Sequence, residues 1–115
     1  MQSLLDGLVS SVHGALAALL LDSEGEVVIE AGARDPRHRL IGAYQGIALA
    51  TARRTTTRYA TGVIRYILCR YAWAHVVLRP LKDGYYLIVA LAPDGNVGQG
   101  LHRSEMVQER LNSEL

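Results

Sequence analysis

The chain has 115 residues, half of them apolar and 20% charged, which excludes a disordered or collagen-like chain. Twelve Lys+Arg against eleven Asp+Glu leave a net charge of +1, too small a basic excess for a typical nucleic-acid partner. The length suits one domain over residues 1–115.

Cys69 is the lone cysteine, so neither an internal disulfide nor a cysteine-based zinc site is available, and a reducing cytoplasm is the expected setting. Met1 to Asp6 carries no basic region or cleavage site, so no signal peptide is expected. The longest apolar run, Ala15 to Leu21, falls far short of the roughly 20 residues that span a bilayer, so no transmembrane segment is expected. Phenylalanine is absent, which leaves the core to Leu, Val, Ile and Ala.

A first helix is predicted behind Ser3 as cap, with Leu5, Leu8, Val9 and Val12 as its apolar stripe and Gly14 to close it. Ala15 to Leu21 then reads as a strand, Asp22-Ser23-Glu24-Gly25 as a tight turn, and Val27 to Ile29 as the returning strand of a hairpin. Asp35-Pro36 is a strong helix start, because the carboxylate caps free amides and proline loses no hydrogen bond at the first helical position. That helix should run to about Arg54 and be ended by Thr55, Thr56 and Thr57. Val63 to Tyr71 and Ala74 to Leu81 read as strands joined at Ala72-Trp73, and Lys82-Asp83-Gly84 as a turn. Tyr85 to Ala92 is apolar on both faces, as a central strand covered on both sides requires. Pro93 to Asn96 breaks it and caps a last helix, whose inner face carries Val97, Leu101, Ser104, Val107, Leu111 and Leu115. The expected fold is α+β: a five-stranded, mainly antiparallel sheet with helices on both faces, in the order α-β-β-α-β-β-β-α.

The middle helix is the most informative segment. Leu40, Tyr44, Ile47, Ala48 and Thr51 form one stripe that can lie on the sheet. Gly42, Gly46 and Ala50 form a second row, flanked by Ala43 and Leu49, and no residue between Leu40 and Ala52 is charged. Each interior glycine costs about 0.5–1 kcal/mol against alanine, so close backbone approach is expected to offset the loss. One reading puts the same helix of a second copy against the glycines across a two-fold axis. The other packs them on the chain's own sheet or leaves them merely tolerating exposure. Under the first, the dimer interface uses Gly42, Gly46, Leu49, Ala50 and Arg53, with Val63 to Cys69 as a pairing strand that presents Val63, Arg65, Ile67 and Cys69.

Other constellations carry less chemistry. Gly95-Asn96-Val97-Gly98-Gln99-Gly100 sits where phosphate loops occur, but Arg103 occupies the last position of the dinucleotide fingerprint and no Lys-Ser/Thr pair follows. It reads as a helix cap, with a weak anion site at His102 and Arg103 as the alternative. Cys69 and His75 would face each other if the hairpin centres on Ala72, yet a buried neutral thiol is the commoner state in such a strand. The four histidines lack metal-ligand spacing, and Asp22, Glu24 and Glu26 are too few for a calcium loop. No catalytic set, metal or cofactor is therefore expected. Arg53, Arg54 and Arg58, followed by Arg65 and Arg70, form a basic arc that reads either as a solvated edge or as a docking surface for an acidic protein.

Three stretches carry a family likeness: Gly14-Ala15-Leu16-Ala17-Ala18-Leu19-Leu20-Leu21-Asp22 with Gly25-Glu26-Val27-Val28, then Leu78-Arg79-Pro80-Leu81 with Asp83-Gly84-Tyr85-Tyr86-Leu87-Ile88-Val89, and Asn96-Val97-Gly98. On these the chain resembles the roadblock family, which holds the dynein light chains and bacterial regulators of Ras-like GTPases. The resemblance implies a homodimer in which the middle helix and the following strand pair across the two-fold. It also implies a non-catalytic scaffold that binds a small Ras-like GTPase, for which Arg53, Arg54 and Arg58 are the candidate docking residues. A structural adaptor in a larger assembly is the second expectation. A small-molecule sensor is the third, since the layout also resembles sensory α/β sandwiches, and it would need a cavity between the sheet and the last helix.

Overall fold

The computed structural model describes residues 1–115. Helix α1 (Gln2–Ser11) leads into the hairpin of β1 (Ala15–Leu21) and β2 (Val27–Gly32). The long helix α2 (Pro36–Tyr59) follows, then β3 (Ile67–Arg70), β4 (His75–Pro80), a short 3-10 turn at Lys82–Gly84, β5 (Tyr86–Leu91) and α3 (Val97–Glu114). Every strand pairing is antiparallel, and the sheet order is β2-β1-β5-β4-β3. The doubly apolar β5 is the central strand, buried along its whole length, as its sequence requires.

Two cores result. Ala17, Leu19, Leu21, Val76, Tyr86 and Ile88 face α2, whereas Ala18, Leu20, Val77, Leu87, Val89 and Leu91 face α1 and α3. The alternation follows the strand period of two. Leu5 and Leu8 of α1 and Leu111 of α3 close the second core.

Several boundaries differ from the sequence expectation. Helix α1 starts at Gln2 with no side-chain cap, so Ser3 lies within its first turn. Helix α2 runs through the three threonines to Tyr59, with the Thr55 and Thr56 hydroxyls donating back to the Thr51 and Arg53 carbonyls at 3.3 and 3.0 Å. Ala60, at φ +52°, ends it. Strand β3 is only four residues long, so Val63 and Arg65 lie in the segment before it, not in a strand.

Candidate interaction surface

Helix α2 is seated by contacts that its sequence provides. The Asp35 carboxylate accepts from the Arg37 amide at 2.9 Å and from the Arg37 guanidinium at 2.7 Å. These bonds, the side-chain pair above all, hold the Asp35 carboxyl at a pKa of about 2, below its ordinary 3.8. Arg39 pairs with Glu30 of β2 at 2.9 Å. On the other side of the helix start, Trp73 of the β3–β4 turn stacks on His38, and the Arg37 guanidinium lies 4.5 Å from its ring centre.

The face that α2 turns to the sheet is the reverse of the one expected. His38, Gly42, Gln45 and Leu49 are buried, while Leu40, Tyr44 and Ile47 are 57, 59 and 65% exposed. The glycines therefore face the chain's own sheet: Gly42 and Leu49 are buried and unavailable to a partner, and Gly46, half-buried, abuts Tyr86 at the margin of the outward face. The cause is the bulk beneath them. A Cβ on Gly42 would come within 3.3 Å of Leu21, and one on Gly46 would collide with the Tyr86 ring. The Tyr86 hydroxyl then donates to the Gly42 carbonyl at 3.0 Å. Burial raises the Tyr86 pKa, so the phenol remains a donor. A tyrosine opening the central strand was the sequence signal that could have assigned the glycines to this side.

What α2 leaves outward is an apolar ridge, Leu40, Tyr44 and Ile47, continued toward its C-terminus by Thr51, Arg54 and Arg58, all exposed. Of the predicted interface residues, Ala50 flanks this ridge and Arg53 is half-buried beside it. The Arg54 guanidinium donates to Thr51 Oγ1 at 3.3 Å, and Arg58 lies 5.5 Å from the Tyr59 ring centre. Val63 is 89% exposed, and Arg53, Thr56, Val63 and Ile64 line a shallow hollow at the helix exit.

Strand β3 pairs only with β4 and so offers a free backbone edge, with Ile67 and Cys69 half-buried. The hairpin register matches Cys69 with Val76 and Arg70 with His75, so Cys69 and His75 are not cross-strand partners. His75 Nε2 instead bonds the Pro93 carbonyl at 3.0 Å.

The segment ahead of β3 is held from the opposite face. Arg79 of β4 is buried and donates to the Arg65 carbonyl at 3.1 Å, to the Leu101 carbonyl at 2.6 Å and to Ser104 Oγ at 3.0 Å. Its guanidinium also lies 4.9 Å from the Tyr66 ring centre. Burial lowers the Arg79 pKa, and nearby Glu105 counters that effect. Asn96 caps α3 by accepting from the Gln99 amide at 3.0 Å, which gives the Gly95–Gly100 segment its structural role.

No protein-family model matches the sequence, and no curated protein matches it. Solved structures do. The roadblock/LC7 domain from Streptomyces avermitilis is 17% identical, with a TM-score of 0.86 over 99% of this chain and 96% of that one. Myxococcus xanthus MglB is 13% identical, with a TM-score of 0.83 over 97% of this chain and 91% of that one. MglC from Myxococcus xanthus is 26% identical, with a TM-score of 0.68 over 98% of this chain and 97% of that one. The chain has the roadblock/LC7 fold. No helix is long and apolar enough to cross a membrane.

Proposed function

We propose that this chain is a single-domain, non-catalytic regulator that forms a homodimer and binds a small Ras-like GTPase in the cytoplasm. One observation carries the reading: α2, with its sheet-facing side already filled, leaves Leu40, Tyr44 and Ile47 exposed, in a chain whose edge strand β3 is also unpaired on one side. Two copies related by a two-fold would bury both ridges and join two sheets through β3. The interface then consists of Leu40, Tyr44, Ile47 and Ala50, with Ile67 and Cys69 on the pairing strand and Val63 and Arg65 in the segment before it. Likeness to MglB, which also occurs with a tetrameric arrangement, supports an assembling module. Arg54 and Arg58, with Arg53 at the margin, give the dimer a basic end for an acidic surface of the GTPase. The sensor alternative lacks support, because Gly100, Ser104 and Leu111 of α3 pack directly on the sheet side and are buried.

The test has two stages. Sedimentation at micromolar concentration should give a dimer for the wild type and a monomer for Ile47→Arg. The wild type should then bind a small Ras-like GTPase of the same organism, with an affinity that falls as salt rises. A monomeric wild type removes the dimer, and no binding in either the GDP or the GTP-analogue state removes the regulator.

A further inference from the structure

On the sheet face opposite α2, helices α1 and α3 run antiparallel and are fastened at both ends. The Met1 amino group lies 3.6 Å from Glu114 at one end. At the other, the His13 amide donates to Gln99 Oε1 at 2.9 Å, and the Asn96 amide donates to the His13 carbonyl at 2.9 Å. Between these fastenings the outer surface of the helix pair holds an open groove of about 500 Å³.

Residue size opens it. Ser3, Gly7 and Ser11 form the α1 wall, and a Cβ on Gly7 would meet nothing within 4 Å. Leu4, Leu8 and Val107 supply the apolar floor. On α3, Arg103, Met106, Val107 and Arg110 recur at i, i+3, i+4 and i+7, the spacing of a helix-packing seam, and Met106 is 50% exposed within it. Two walls of a three-helix arrangement are therefore in place. Arg103 and Arg110 stand seven residues apart on the α3 wall, and neither joins any of the chain's ion pairs. Glu109 shares the wall and leaves it net positive.

We infer that this groove receives an amphipathic helix of a partner protein, whose apolar side chains enter over Gly7 and whose acidic side chains meet Arg103 and Arg110. The ten residues of α1 extend for about 15 Å, so roughly three turns of the incoming helix are engaged. The arginine stems add apolar cover while their heads select charge.

The probe is a pair of designed helical peptides, each two heptads long with leucine at the seam. One carries glutamate and the other lysine at the flanking positions. Titrated into isotope-labelled protein, the glutamate peptide should saturate and shift amide signals of residues 3–11 and 103–110. Its affinity should fall on the order of tenfold in Gly7→Leu, which fills the groove, and in the Arg103→Glu/Arg110→Glu double variant. The double variant should prefer the lysine peptide. Should Gly7→Leu fail to fold, the charge-reversed variant decides alone. Absence of saturable binding, equal affinity for the two peptides, shifts on α2 alone, or peptide-independent self-association through this face would each overturn the inference.

Discussion

Gly46 and Gly7 are both helical glycines, and they should respond to alanine with opposite signs. At Gly7 a methyl group enters open space and gains about 0.5–1 kcal/mol of helix propensity. At Gly46 it meets the Tyr86 ring, so the helix must lift or the Tyr86–Gly42 hydrogen bond must break. Overpacking of that kind costs about 1–3 kcal/mol, which denaturant unfolding of Gly46→Ala would read directly. Asp35 adds a pH dependence. Its folded pKa, about 2, lies below the ordinary 3.8. The contribution of the ionised carboxylate is therefore fully present above the unfolded value and is lost as pH falls through the folded one. Asp35→Ala should lower the melting temperature at neutral pH. The gap from wild type should narrow between about pH 4 and pH 2 in an acid series followed by circular dichroism.

Among the elements, Arg79 binds together parts that are far apart in the chain. It joins β4 to α3 through Leu101 and Ser104, and to the approach of β3 through Arg65. Arg79→Leu should cost roughly 2–4 kcal/mol, because the Leu101 and Arg65 carbonyls lose a charged donor. Hydrogen exchange should rise first in residues 61–70, before the sheet centre opens. This clamp was not legible in the sequence, since an arginine in an apolar strand carries no sign of which carbonyls will meet it. The element order was legible from local signals: Asp35-Pro36, the Gly25 turn and the doubly apolar Tyr86–Leu91 each say what they form. The orientation of α2 was legible only through Tyr86, whose bulk opposite the glycines is the one local signal. Its two faces are both uncharged, and only the depth of Tyr86 in the facing sheet decides which one turns inward. The extension of α2 past Thr55 was hidden because threonine's low helix propensity is a weak prior that tertiary context overrides, the hydroxyls being taken up on carbonyls one turn back.

For the whole molecule, the layers divide the labour. The α2 side carries the ridge and the basic end, the sheet margin carries the free β3 edge, and the α1–α3 side carries the groove. A dimer built on the ridge and the β3 edge would leave the groove open on each subunit, so the two surfaces can be engaged at once.

The placement of β5 has its own consequence. It is the last strand in the chain and the middle strand of the sheet, bonded to β1 on one side and β4 on the other. During synthesis the two hairpins emerge first, each with an apolar flank that nothing yet covers, and the sheet cannot close until the final third of the polypeptide has left the ribosome. A message or protease that stops the chain before Tyr86 would release two unjoined halves, not a smaller version of the fold.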